Sequence, residues 1–201
     1  MIVAYQYFTL ATILLCFIGC ATPNAQTLNL HELKYIPAKT IPQCSYMDKV
    51  EIDTPLLSKE LYTLNRQIAI IQYSNYPIMF KNAQWTQNPA SMIQTAIQDS
   101  LHACLHTTPK NPQYRLLSIV PEMGIIHHTD KKEQKAIFAM DFILYDIQKQ
   151  STISRYSAFE EWELKNLEQE KAIYALNKTL NIIIQRMIQY YDNLIQKQES
   201  A

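Results

Sequence analysis

The last 80 residues of this 201-residue chain contain no proline, because all nine prolines lie between Pro23 and Pro121. Proline interrupts the hydrogen bonds of helices and central strands, so this part of the chain can form long, continuous elements. Residues 114–126, 136–147 and 152–159 are three β-rich runs in succession, joined by polar stretches. Such a series predicts an antiparallel meander.

A long amphipathic helix is predicted over residues 167–198. Its apolar residues recur at steps of three and four: Ile173, Leu176, Leu180, Ile183, Met187, Tyr190 and Leu194. This register formally allows a coiled coil. However, Ile182, Ile184, Ile188 and Ile195 widen the stripe beyond a two-stranded seam, which favours a helix that packs on its own sheet.

A second main helix is predicted at about residues 89–106. It begins at Asn88-Pro89, because Asn caps free backbone N–H groups and proline suits the first helical position. Upstream, residues 49–53 alternate as a half-buried strand, and residues 66–73 are apolar on both faces, which predicts a central strand. Together these elements predict an α+β fold, an α/β sandwich with two main helices packed on a mostly antiparallel sheet of about 4–6 strands.

The N-terminus carries an apolar run over residues 8–18 without a charged residue. It is shorter than the about 20 residues of a membrane-spanning helix and suits the apolar region of a secretory signal. It closes with Leu15-Cys16-Phe17-Ile18-Gly19-Cys20, which resembles the bacterial lipobox. We therefore predict a signal peptide over residues 1–19, lipidation of Cys20, a tether over 20–45 and a single periplasmic α/β domain over 46–198. An uncleaved N-terminal anchor helix is the alternative.

The composition argues against several functions. Lys+Arg and Asp+Glu both number 18, so no excess of positive charge indicates nucleic-acid binding. The two glycines, Gly19 and Gly124, cannot form a glycine-rich phosphate loop. No serine or mature cysteine has the sequence context of a nucleophile, so we expect no enzyme activity and no cofactor.

Two cysteines, Cys44 and Cys104, remain in the mature chain besides Cys20. An oxidising compartment permits a disulfide between them. Two separate buried thiols fit the sequence equally well, since a free cysteine behaves as a small apolar residue.

Other residues suggest sites less strongly. His102 and His106 are spaced to share a metal ion, but their place in a last helical turn also suits the helix dipole; we predict no metal, there or at His127-His128. Glu160, Glu161 and Glu163 are typical of a solvated acidic face. Tyr73, Tyr76 and Trp85 are candidates for a groove or partner surface, and the tyrosines fit the edge of a core at least as well.

The order of these elements resembles the ABC-type transport auxiliary lipoprotein family. The residues that carry the resemblance follow the lipobox and tether: Ile68, Ile70, Tyr73, Trp85, Pro89 with the helix after it, Asp146 at a strand end, and Lys-Ala-Ile-Tyr-Ala-Leu-Asn-Lys-Thr-Leu at residues 171–180. The resemblance implies a non-catalytic, lipid-anchored periplasmic subunit. Its implied partners are a mammalian-cell-entry-type substrate-binding protein with its permease and ATPase, in a system of the paraquat-inducible kind that moves lipids.

Ala21 follows Cys20, and the absence of Asp there favours the outer membrane by the enterobacterial sorting rule, with the inner membrane as the alternative. Three further functions stay open at this point. The first is a stand-alone lipoprotein that binds a small ligand, and the second is a factor that assists lipopolysaccharide export. The third is an envelope hydrolase, for which the sequence offers no pair of nucleophile and base.

Overall fold

The computed structural model describes residues 28–37, 44–72, 78–105, 111–128 and 133–200. The helices of this part are α1 (Lys59–Leu64), α2 (Pro89–Leu105) and α3 (Gln169–Glu199), with a 3-10 turn at Met47–Lys49. The strands are β1 (Asn29–His31), β2 (Val50–Ile52), β3 (Leu56–Leu57), β4 (Gln67–Gln72), β5 (Ile78–Trp85), β6 (Tyr114–His128), β7 (Glu133–Asp146) and β8 (Ser151–Glu163).

The described strands form one sheet of order β1-β5-β4-β6-β7-β8, with β2 and β3 also paired to β6. The fold is α+β, as predicted. The meander β6-β7-β8 is antiparallel, but β1, β2, β3 and β4 each pair in parallel with a neighbour. The long pairings of β6, β7 and β8 keep the sheet mostly antiparallel, as predicted. The short strands β2, β3 and β4 add parallel pairings along β6 in chain order.

The long strands follow from alternation of apolar and polar side chains. In β7, Phe138, Met140, Phe142 and Leu144 are fully buried on the face that carries the helices. The residues that alternate with them are partly exposed. The β7-β8 turn needs no glycine: Asp146 accepts hydrogen bonds from the backbone N–H groups of Gln148 (2.9 Å) and Lys149 (2.8 Å). These bonds reproduce the local turn chemistry that aspartate favours.

Helix α3 packs across β7 and β8, contacts β6 and touches α2. The wide apolar stripe thus lies on the chain's own sheet. Between α3 and β7, the Tyr191 hydroxyl donates to the Phe142 carbonyl at 3.0 Å. Burial raises the pKa of Tyr191. No described helix has the length and apolar character that crossing a bilayer requires.

Helix α2 begins as predicted, with the Ala90 N–H donating to Asn88 Oδ1 at 2.9 Å. Its buried residues, among them Ile93 and Ile97, join the core shared with α3. The described helix ends at Leu105.

The segment 28–37, which lies within the predicted tether over 20–45, is packed on the domain. β1 pairs with β5 in the sheet, and the side chain of Leu33 is buried in the main core. We call residues 28–37 the strap. Its attachment is the feature of the fold that bears most directly on the predicted anchor.

Candidate anchor-attachment site

The strap enters the structure at the edge of the sheet. Leu30 and His31 lie opposite Gln84 and Trp85 of β5 in a parallel register. The Thr86 N–H then donates to the His31 carbonyl at 2.8 Å. After His31 the strap leaves the sheet and continues along α3.

Two asparagines of α3 bind the strap by its backbone. Asn177 Oδ1 accepts from the Lys34 N–H at 2.7 Å, and Asn181 Oδ1 accepts from the Ile36 N–H at 2.8 Å. In return, Asn177 Nδ2 donates to the Glu32 carbonyl and Asn181 Nδ2 to the Lys34 carbonyl, both at 2.9 Å. Each side-chain amide therefore acts on the strap as a neighbouring strand would.

The spacing of these residues explains the match. Four residues of an α-helix rise about 6 Å, and two residues of a strand advance about 6.6 Å. Asn177 and Asn181, four apart on α3, thus meet alternate residues of an extended chain. The remaining amide protons donate to the helix carbonyls of Ile173 (3.1 Å) and Asn177 (2.7 Å), so these buried amides are satisfied.

A third polar residue of α3 binds the chain where it returns to the domain. Asp192 is buried, and its Oδ1 accepts from the Tyr46 N–H at 2.7 Å. Burial raises the pKa of Asp192, and the backbone N–H groups of Tyr46 and Met47 oppose this by stabilising the carboxylate. Nearby, Cys44 and Cys104 form a disulfide with a Cα–Cα distance of 6.1 Å, which joins this part of the chain to α2.

An apolar surface flanks the start of the strap. The side chains of Leu28, Leu30 and Tyr174 are 50%, 53% and 53% exposed. Leu30 and Tyr174 line one cavity of about 350 Å³ between the strap and α3. The Lys178 ammonium lies 5.7 Å from the centre of the Tyr174 ring, within the range of a cation–π contact.

Several predicted site residues lie elsewhere. Cys20, Tyr73 and Tyr76 fall outside the described residues. Trp85 is only 1% exposed, so the prediction that it contributes to a groove or partner surface is wrong. It packs in the core beneath the strap, and its Nε1 has no hydrogen-bond partner in the described structure.

The predicted metal candidates show no assembled site. His102 is exposed on α2, and His106 falls outside the described residues. No group of three or more His, Cys, Asp or Glu side chains in the described ranges is arranged to hold a metal ion. Glu160 and Glu161 pair with Arg186 (2.6 Å) and Lys135 (2.8 Å) instead of with each other.

A larger groove of about 750 Å³ lies between β2 and α2. Its polar side chains include Glu51, Gln98, Asp99 and His102. Gln94, also on its wall, donates to the Ile52 carbonyl at 3.2 Å. The groove is open, and both polar and apolar side chains line it, as in many sites for small molecules.

The residues that bind the strap were missed by sequence reasoning. Asn177 was counted only as part of a helical motif, and Asn181 and Asp192 were not noted. The signal was present, because these three polar residues lie within the buried stripe of α3. A buried polar side chain requires a partner, although the sequence does not say which segment supplies it.

No family model matches this sequence, and no curated protein is significantly similar to it. The fold is similar to that of protein XCC0632 from Xanthomonas campestris, of family model DUF330, with a TM-score of 0.70 and 12% identity over 87% of this chain and 99% of that one. A second solved structure, of an uncharacterised protein, has a TM-score of 0.61 and 9% identity over 83% and 99% of the two chains. These similarities show a shared fold.

A minor lipoprotein from Acinetobacter baumannii is similar at a TM-score of 0.37 and 11% identity, over 62% of this chain and 90% of that one. That level of similarity carries no weight here.

Proposed function

We propose that this chain is a lipid-anchored envelope protein that carries its lipid on Cys20 and faces the periplasm from the outer membrane. The observation that carries the proposal is the strap, which begins at Leu28, eight residues after Cys20. Extended chain covers at most about 3.6 Å per residue, so Leu28 lies within about 29 Å of the anchor. The strap thus ties the domain closely to the membrane.

The proposed role is that of a non-catalytic accessory subunit of an ABC-type, mammalian-cell-entry-like system that moves lipids or other hydrophobic molecules across the envelope. It acts by docking onto the substrate-binding protein of that system and its permease and ATPase. The support for this role is the resemblance in the order of the elements.

Mass spectrometry of the protein purified from envelope tests the anchor. We expect the first residue to be Cys20, with the added mass of a diacylglyceryl group and an acyl chain. The Cys20→Ser variant should retain residues 1–19 or appear unlipidated in the soluble fraction. A wild-type product with unmodified Cys20 would contradict the proposed anchor.

Purification under mild detergent tests the docking role. Chemical cross-linking in intact cells, followed by purification, should recover a mammalian-cell-entry-type protein, and Cys20→Ser should reduce that yield although its fold is intact. Recovery of an outer-membrane β-barrel of lipopolysaccharide export in its place would favour the alternative of an export factor. Recovery of neither partner would contradict docking.

The groove between β2 and α2 favours a second candidate, a stand-alone lipoprotein that binds a small polar ligand. Gln98 and His102 line this groove and lie outside the strap attachment. Native mass spectrometry of the protein after exposure to a cell extract should then show a bound small molecule. The double variant Gln98→Ala, His102→Ala should lose it, and Asn193→Ala, which changes an exposed residue of α3, should retain it.

A further inference from the structure

We propose that Leu28, Leu30 and Tyr174 form an apolar patch that rests on the lipid surface and sets the orientation of the domain on its membrane. This inference builds on the proposed anchor at Cys20 and adds a surface and a partner, the bilayer itself. It concerns how an anchored domain sits on the membrane, not what tethers it there.

The extended geometry of the strap places two leucines on one side. Leu28 and Leu30 are two residues apart and both half exposed, whereas His31 and Leu33 are buried. Side chains two apart in an extended chain point the same way. Leu30 shares the wall of one cavity with Tyr174, so the strap and α3 present their apolar side chains next to each other.

The position of the patch in the chain selects the membrane as its occupant. Only the seven residues 21–27 separate Leu28 from Cys20. A chain of this length keeps the patch within about 29 Å of the lipidated residue. A tyrosine half exposed beside apolar side chains is also typical of the membrane interface, where its ring and hydroxyl meet both environments.

The charges around the patch are mixed. Lys34, Glu32 and Glu170 line the same cavity, and Lys178 lies over the ring of Tyr174. Opposite charges at such short range give no strong net field, so the contact should depend on apolar burial. We therefore expect it on neutral phosphatidylcholine as well as on anionic lipid, with little sensitivity to salt.

Three half-exposed side chains are too few to hold a protein on a bilayer alone. Their effect appears once an anchor has already brought the domain to the surface, because the contact is then intramolecular. The patch consequently selects one face of the domain for the membrane and leaves the opposite side for other contacts.

Fluorescence quenching by brominated lipid tests the proposal. Residues 1–20 are replaced by a hexahistidine tag, and the protein is tethered to phosphatidylcholine vesicles that contain a nickel-chelating lipid. Tyr174→Trp is introduced together with Trp162→Phe, which removes the partly exposed native tryptophan. In brominated vesicles we expect a loss of emission relative to unbrominated ones.

Tyr62→Trp in the same background is the matched control, because Tyr62 is 71% exposed but lies on α1. It should show no loss of emission. The change Leu28→Ser with Leu30→Ser should reverse the quenching of Tyr174→Trp, whereas Leu56→Ser, at a leucine 67% exposed, should not. Equal quenching at both tryptophan positions, or none at either, would overturn the proposal.

The tag makes this test independent of native lipidation. If mass spectrometry finds Cys20 unmodified and Tyr174→Trp is still quenched, the anchor assignment fails and the membrane-contacting patch stands. If Cys20 is lipidated and quenching is absent, the patch fails alone. If quenching is absent and the protein is a dimer in solution that covers the patch with a second copy, the proposal is also overturned.

Discussion

At the scale of single residues, the strap depends on the chemistry of asparagine. Its side-chain amide carries one acceptor oxygen and two N–H donors, and Asn177 and Asn181 use both kinds of group on the strap. Aspartate would supply only acceptors, and glutamine would place its amide one methylene farther from the helix. The match therefore depends on the length of the side chain as well as on its polarity.

Replacing Asn181 with alanine should lower the free energy of unfolding by about 1–3 kcal/mol, because part-buried backbone groups of Lys34 and Ile36 lose their partners. Chemical denaturation measures the change. Asn193→Ala, on an exposed part of the same helix, should change it by less than about 0.5 kcal/mol. Equal effects of the two substitutions would show that the strap adds nothing to stability.

Asp192 combines a useful acceptor with a costly buried charge. Asp192→Ala should lower the free energy of unfolding by about 1–3 kcal/mol near neutral pH, because the N–H of Tyr46 loses its acceptor. Asp192→Asn keeps an acceptor oxygen without the charge, so it should be at least as stable as the wild type there. Chemical denaturation of the three proteins measures this order, and an asparagine variant as unstable as the alanine variant would contradict it.

The same residue predicts a pH dependence with a definite sign. Because burial raises the pKa of Asp192 above 3.8, the folded state binds the proton more tightly than the unfolded state. Its contribution to stability is therefore least favourable near neutral pH and improves as the pH falls through the folded pKa. The advantage of Asp192→Asn over the wild type should shrink in the same range.

At the scale of elements, the sequence could predict those with strong local patterns. The Asn88-Pro89 start of α2, the long strands β6 to β8 and the broad stripe of α3 all follow from periodicity and capping. The attachment of the strap could not be predicted, because the strap is short and binds residues about 145 positions away, as Ile36 does with Asn181. The parallel pairing of β2, β3 and β4 was missed for a related reason, since alternation indicates a strand but not its direction.

The disulfide between Cys44 and Cys104 closes a loop with a sequence separation of 60. Restriction of the unfolded chain should make it contribute about 4 kcal/mol to stability. In chemical denaturation, the free energy of unfolding of the double variant Cys44→Ser, Cys104→Ser should be lower than that of the wild type by that amount. A reducing agent should destabilise the wild type similarly and leave the double variant unchanged; a wild type indifferent to reduction would contradict the bridge.

The turn between β7 and β8 should weaken in acid. The backbone N–H of Lys149 stabilises the Asp146 carboxylate and lowers its pKa below 3.8. A lowered pKa means that this stabilisation is present above the unfolded value and disappears as the pH falls through the folded one. Chemical shifts of the Gln148 and Lys149 amides should report the titration, and Asp146→Asn should abolish it while keeping an acceptor oxygen.

At the scale of the whole molecule, the strap limits how far the domain can stand from the proposed anchor at Cys20. With the strap bound, the eight-residue distance along the chain from Cys20 to Leu28 limits their separation to about 29 Å. Without it, the free chain would extend to Cys44, where the disulfide joins it to α2, and would span at most about 86 Å. The contacts of Asn177 and Asn181 thus decide whether a lipid on Cys20 gives a short or a long tether.

Truncation tests whether the strap belongs to the folded domain or to the tether. A chain that begins at Leu28 should unfold at the same denaturant concentration as one that begins at Ala21. A chain that begins at Ala38 should have a free energy of unfolding about 2–4 kcal/mol lower, because the buried side chain of Leu33 and the hydrogen bonds between the strap backbone and α3 are lost. Part of their gross contribution is offset by the entropy of ordering the strap.

The comparison becomes specific when the asparagines are changed as well. Asn177→Ala with Asn181→Ala should destabilise the chain that begins at Leu28, but should have little effect, or a small stabilising one, in the chain that begins at Ala38. Without the strap the two amides face water and have no backbone to bind, and alanine favours the helix. Equal destabilisation in both chains would mean that the asparagines stabilise α3 alone. The strap would then not shorten the distance between the domain and the proposed anchor at Cys20.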